Sequence, residues 1–382
     1  MKNVNIGFIP LTDSAPLIIA KEEGFFEKQG LNVSLQKEVS WSNVRDKLIF
    51  GEVDAAHMLA PMLMATTLGI GGLKKHLVTG YSFGLNGNAI GVSNALFDEM
   101  KQYDTNVLLN PKGSAQVLKK IIQARSTNQE EPLRFAVVFP FSMHHYLLRH
   151  WLKSAGVEAD REVQIVVVPP SSVVKALEEK LIDGYCVGEP WSTHAVKCEK
   201  GVTLITGYEI WNNAPEKVLG VTKQWADENK TTHQKLILAL YQASEWIDQV
   251  GHKEQLIKYL AQPEYVGAPE ASLRNSIDGE IYHPDAQFCR KVPNFSVPFK
   301  YLANFPWQSH AQWILRQMKS AQQIKGDIDI QKTAATIYLT DLYREALVTE
   351  GVTLPTANSK EEGVHAQPWF MEGVELGEDC FI

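Results

Sequence analysis

The side chains able to grip or transform a small molecule are few, and most are donors. Lys217 follows Glu216 in the segment Ala214-Pro215-Glu216-Lys217. His144 stands at the start of a helical pattern, where a ring donor and the helix dipole both favour an anion. Trp41 offers a flat apolar wall or an indole N–H. Asn86-Gly87-Asn88 brings two amides and backbone N–H groups to a strand entry. Each also has an ordinary role: a solvated lysine paired with Glu216, a histidine at a helix start, a tryptophan packed on a surface. His145 is the weaker neighbour of His144. Glu189 beside such donors would repel an anion unless paired, so a structural role is expected for it.

Signs of catalysis are missing. No nucleophile sits beside a base, and no glycine-rich phosphate loop is visible. Cys186, Cys198, Cys289 and Cys380 lie far apart without a CxxC spacing, which argues against a disulfide framework or a zinc site. No carboxylates cluster as calcium requires, so neither metal nor cofactor is expected. The expectation is a binding protein, not an enzyme.

What positions these residues is a stretch that the chain contains twice. Residues 41–61, WSNVRDKLIFGEVDAAHMLAP, fall without a gap on residues 170–190, PSSVVKALEEKLIDGYCVGEP. Ser42 lies on Ser171, Val44 on Val173, Leu48 on Leu177, Asp54 on Asp183 and Pro61 on Pro190. Both copies read as a short amphipathic helix with Val44, Leu48 and Ile49 on its apolar face, a turn, an acidic-small pair, a short apolar strand and a stopping proline. Two similar α/β lobes follow, each sending a strand end and its loop to one shared place.

The flanking pattern agrees. A strand is expected at 6–10 and a helix at 17–28, capped by Asp13 or Ser14. Further strands are expected at 32–35, 134–139, 164–168 and 218–221, and helices at 62–68, 142–154, 233–249, 307–323 and 333–345. Residues 124–132 read as a solvated loop and residues 263–306 as long surface loops, with an acidic tail at 366–382. The domains expected are residues 1–88 as the first part of lobe I, 89–214 as lobe II, and 215–382 returning to lobe I with a helical and loop C-terminal extension. With 382 residues, 45% hydrophobic and 21% charged, the composition is that of an ordinary globular protein of about two domains. A net charge of −7 argues against direct nucleic acid or anionic membrane contact, though not against a small anion held in a local pocket. No apolar run approaches the ~18 residues of a membrane span.

The runs IGFIPLTDSAPLIIAKEEGFFEKQGLNV, WSNVRDKLIFGEVDAAHMLAPM, LNGNAI, FPFSMHHYLLRHWL, VVVPPSSVVKAL, DGYCVGEPW and EIWNNAPEKVLGV, in this order, resemble the nitrate/bicarbonate-binding proteins of bacterial ABC importers. The resemblance implies an α/β, type II periplasmic-binding-protein fold: two lobes with mixed, mostly parallel sheets around a central ligand cleft. It implies Lys217 as the cation and Trp41, Asn86, Gly87, Asn88, His144, Pro169, Val187 and Gly188 as further ligand-binding residues. Many relatives carry glutamine where Asn88 stands. Bicarbonate-binding members use a calcium ion, which the residues here do not suggest.

The chain opens on Met1-Lys2 and goes at once into a strand, with no leader pattern or early cysteine. That points to the leaderless branch of the family, a cytoplasmic nitrate/nitrite sensor whose partner is an RNA-binding antiterminator. The alternative is the periplasmic or membrane-anchored receptor that hands nitrate or bicarbonate to an ABC permease. A pyrimidine-synthesising enzyme of thiamine biosynthesis shares the lobed fold, but its cysteine-dense motif is missing here.

Overall fold

The computed structural model describes residues 1–282, 289–361, 370–371 and 374–375. Eleven strands carry the argument: β1 (Lys2–Phe8), β2 (Leu31–Lys37), β3 (Ala55–Leu59), β4 (Leu77–Ser82), β5 (Leu85–Asn86), β6 (Asn88–Ser93), β7 (Arg134–Val137), β8 (Gln164–Val167), β9 (Gly184–Gly188), β10 (Gly201–Thr206) and β11 (Lys217–Thr222). Two five-stranded sheets result, ordered β2-β1-β3-β11-β4 and β8-β7-β9-β6-β10. Both are mixed. Pairing is parallel through β2-β1-β3 and β8-β7-β9, and antiparallel where β11 joins β3 and β6 joins β9.

The duplicated stretch is a true structural repeat. In the first sheet Ile6 pairs with Ala55; in the second Phe135 pairs with Gly184, both residues 129 positions on. Asp54, just before β3, clamps β1 in mid-strand, accepting from Asn5 N at 2.8 Å while its own N–H reaches Asn5 O at 2.9 Å. Asp183 makes the same two bonds to Arg134, at 2.7 and 2.8 Å. A carboxylate in this position satisfies a strand N–H just before the neighbouring strand begins, so the acidic residue recurs in each copy.

The fourth strand of each sheet is exchanged along the chain. Lobe II takes β6, which precedes β7, and lobe I takes β11, which follows β10. The chain therefore crosses between lobes twice, near Leu85–Asn88 and Asn213–Lys217. The crossings are tied together: Asn86 N donates to Ala214 O and Ala214 N to Asn86 Oδ1, both at 2.9 Å. Asn86 at φ 65° and Gly87 at φ 83° turn the chain there, a conformation that asparagine and glycine adopt most readily.

Capping fixes the helices beside the site. Ser40 Oγ accepts from Asn43 N to start Trp41–Phe50, and Gly51 at φ 78° stops it. Ser142 Oγ accepts from His145 N to start Met143–Ser154. One continuous apolar core runs through both lobes.

Several expectations needed correction. The first helix splits into Ala15–Glu22 and Phe25–Lys28 around Gly24, at φ 71°, and neither Asp13 nor Ser14 caps it by side chain. The helix Ser114–Thr127 runs into the segment read as a solvated loop. The segment 263–306 contains the helix Glu270–Asp278 and short strands, including Ser296–Val297 paired with β5. Residues 333–345 belong to two helices, Ile330–Ile337 and Thr340–Leu347. Most of the acidic tail lies outside the described residues.

Candidate functional site

Three strand ends in lobe I meet the crossing segments. β11 begins with Lys217, whose register partner is Leu59 at the end of β3; His57 is on β3, and Asp13 is on the loop after β1. Lys217 is completely buried, and its Nζ donates to Asp13 Oδ2 and Glu216 Oε2, each at 2.7 Å. Burial alone would push its pKa down, but the two carboxylates outweigh that and raise it, so the ammonium stays charged. Burial pushes Asp13 up, yet Lys217 and His57 hold it well below the usual carboxylate range. Glu216 behaves differently: burial prevails over Lys217 and Asn88, and its pKa rises to about 7.

A lysine ammonium has three N–H groups. Two are taken by the carboxylates, which leaves one.

Around this ion cluster stand buried groups without partners. His144, fully buried, has both ring nitrogens unpaired, and the Trp41 indole N–H is likewise buried and unpaired. Burial lowers the His144 pKa well below its ordinary value, reinforced by Lys217, so the ring is neutral with one donor. His57, also lowered by burial, has Nε2 3.1 Å from Asp13 Oδ1, off the line a hydrogen bond needs, and its ring centroid is 5.7 Å from that of Trp41. Asn88 donates to Glu216 Oε1, and its Oδ1 has no partner. A methyl group added at Gly188 would lie 3.3 Å from Asn88 Oδ1 and 3.5 Å from His144 Nε2, so the missing side chain keeps space open between them. Orphaned buried donors are costly, at about 1–3 kcal/mol each. Several around one cation call for an acceptor-rich guest.

The lobes touch at this place. Thr12 of lobe I donates through N and Oγ1 to Glu189 O of lobe II, at 2.9 and 3.1 Å, and Trp191 Nε1 donates to Pro10 O at 2.8 Å. A cavity of about 310 Å³ reaches Thr12, Asp13, Glu216 and Lys217 and runs between Phe83, Ile247, Leu256 and Ile277. Trp41, His144 and Gly188 do not line it, so the donor cluster and this cavity approach Lys217 from different directions.

A model of the NMT1-like family matches residues 1–261. The chain belongs to that family. It is 30% identical over 382 residues to the nitrate/nitrite binding protein NrtA of Nostoc sp. strain PCC 7120, covering 97% of this chain and 82% of that protein. This places it in the family's nitrate/bicarbonate-binding group. It is 35% identical to the nitrate import ATP-binding protein NrtC of Synechocystis sp. over 83% of its own length, but spans only 45% of NrtC. The periplasmic nitrate-binding protein NrtA from Synechocystis PCC 6803 superposes with a TM-score of 0.85 at 27% identity, over 94% of this chain and 93% of that one. The molecule thus has the periplasmic-binding-protein fold of these binding proteins.

Within the family's binding group, the expected residues divide. Lys217, His144, Trp41, Asn88 and Gly188 converge. Asn86 and Gly87 are committed elsewhere: the Asn86 amide gives one N–H to Asn294 O at 2.9 Å, and Gly87 N donates to Phe295 O at 2.7 Å. Their donors hold the crossing, because a buried chain reversal must satisfy its own polar groups first. One N–H of the Asn88 amide is likewise used, on Glu216. Pro169 is half-buried and its carbonyl accepts from Ser172 N; Val187 is buried on β9 beside Gly188. Glu189 is bound into the interlobe seam, its pKa raised to about 7 by burial. Asp13 and His57 were missed. A buried lysine demands a counter-charge, and a carboxylate at the neighbouring strand end was the available signal.

Proposed function

We propose that this protein captures nitrate or nitrite between its lobes and delivers it to an ABC importer. The observation that carries the reading is the buried Lys217 ammonium with one N–H left, next to the unpaired donors of His144 and Trp41. Nitrate has three acceptor oxygens, one negative charge and no hydrogen. It can take the remaining N–H groups together and lie flat against an indole. The relatives named for nitrate binding and nitrate import support this ligand and this route. In this reading the protein works on the far side of the membrane from the importer's ATP-binding subunit. Among the described residues no helix is long and apolar enough to cross a membrane.

One observation favours bicarbonate as a second ligand. Asn88 Oδ1 is a buried acceptor without a donor, and bicarbonate carries an O–H where nitrate has none. The chain is also 36% identical, over 72% of its length, to the bicarbonate transport ATP-binding protein CmpC of Synechococcus elongatus. Isothermal titration with nitrate, nitrite and bicarbonate, the last with and without calcium, tests both. Binding of bicarbonate alone overturns the nitrate reading, and binding of none overturns both.

The sensor reading shares the ligand and differs in output. Its test is a pull-down from the native host with and without millimolar nitrate. Release of an RNA-binding antiterminator on adding nitrate would replace the importer by the sensor.

A further inference from the structure

The family match ends at residue 261, yet a helix beyond it, Gln308–Ser320, spans the two lobes. On one side it packs against Ala60–Leu68, the helix that follows β3 in lobe I. On the other it reaches lobe II through its Trp313 ring. That ring stacks on Trp211 at 4.1 Å between centroids and 29° between planes, and on His150 at 5.6 Å and 21°. Gln317 Oε1 lies 2.9 Å from His150 Nε2. Just past the helix end, the Gln323 amide uses both its groups on lobe II: Oε1 accepts from Tyr146 Oη at 2.7 Å, and Nε2 donates to Pro140 O at 3.0 Å.

Tyr146 and His150 lie on the helix Met143–Ser154, which also carries His144. At about 100° per residue, they project roughly 160° and 120° around the helix from His144. One rigid helix therefore carries the anion-facing ring on one side and the C-terminal contacts on the other.

We propose that Trp313 and Gln323 are positioning residues: they clasp the helix Met143–Ser154 against lobe I and set how much of the protein is closed and competent to bind the anion. They touch no ligand. Their effect on affinity comes through the closed fraction, since apparent affinity falls in proportion to the competent population. The proposal rests on the interlobe anion reading above.

The test uses the full chain, with sodium nitrate as the probe. Trp313→Ala combined with Gln323→Ala should weaken nitrate binding about tenfold. Without nitrate, small-angle scattering should give a larger radius of gyration for the variant than for the parent. With saturating nitrate the two radii should coincide, because the ligand restores the closed state that the clasp no longer favours. Trp313→Phe, which keeps a stacking ring, should recover most of the affinity. An unchanged radius and unchanged affinity in the double variant overturn the clasp. Weakened binding with a parental radius overturns it too, since the damage would then be local. If the parent itself binds no nitrate, the ligand reading fails, and the ligand-free radii still decide the clasp.

Discussion

Replacing Lys217 by alanine should do two separable things. The ammonium gives one N–H to Asp13 and one to Glu216, each at 2.7 Å, so a single donor remains for the anion. A charge-assisted hydrogen bond is worth about 1.5–3 kcal/mol, and its loss weakens nitrate binding roughly ten- to hundredfold. The second effect falls on stability. Removing one partner of a buried ion pair costs about 3–5 kcal/mol, because the remaining charge stays buried without compensation. Glu216 can relieve its share by taking a proton, its pKa already being about 7, whereas Asp13 loses Lys217, the main group holding it low, and is left buried with only His57 to compensate its carboxylate. Asp13→Asn/Lys217→Met removes that stranded charge. It should recover most of the stability while nitrate binding stays weak. Titration calorimetry and urea unfolding at pH 7 on the parent, Lys217→Ala and the double variant separate the two effects. A folded Lys217→Ala protein with parental nitrate affinity would remove the ammonium from the site. One whose stability changes by less than about 0.5 kcal/mol would refute the buried charge balance.

Three further outcomes follow from the same cluster and its surroundings. An anion placed near Glu216 raises the carboxyl pKa above about 7, so binding takes up a proton and affinity should rise as pH falls from 8 to 6, by at most about tenfold per unit; Glu216→Gln should flatten the titration series, and a flat parental profile would sink the linkage. Gly188→Ala puts a methyl group 3.3 Å from Asn88 Oδ1 and 3.5 Å from His144 Nε2, and nitrate affinity should drop about tenfold or more; full affinity would mean that the ligand does not use this space. His145 and His233 have pKa values pushed down to about 4 by burial, below the unfolded value of about 6.5, so the unfolded chain binds more protons in acid. Each should remove about 2 kcal/mol of stability between pH 7 and 5, seen as a falling urea midpoint that His233→Gln partly cancels.

How far the sequence discloses this molecule depends on how local the cause is. The repeat was legible because Asp54 and Asp183 do the same job just before β3 and β9, and a shared job leaves a shared residue. The end of the helix at Leu68 was legible because Gly69 and its neighbours decide it locally. Resemblance, rather than pattern, picked out Lys217, since a lysine after a glutamate usually stays in solvent. Asp13 and His57 were hidden for a physical reason. They meet Lys217 only because β11 returns from lobe II to pair with β3, a register written across more than a hundred residues. The segment 263–306 misled in the same way: its strand at Ser296–Val297 exists to cover β5, and an isolated two-residue pair carries no periodicity.

The exchanged fourth strands also bear on how the chain is made. All five strands of the second sheet lie between Asn88 and Thr206, so lobe II can close on itself as soon as that length has left the ribosome. Lobe I cannot. β3 and β4 are not neighbours in the finished sheet; β11 lies between them, and it is synthesised only after lobe II is complete. At about 5–20 residues per second, the first sheet waits on the order of ten seconds or more with two open edges. The N-terminal lobe is therefore the last to finish. Aggregation during synthesis should arise from β3 and β4 and not from the segments still emerging. A chaperone that shields apolar strands would be needed most between the completion of β4 and the arrival of Lys217–Thr222.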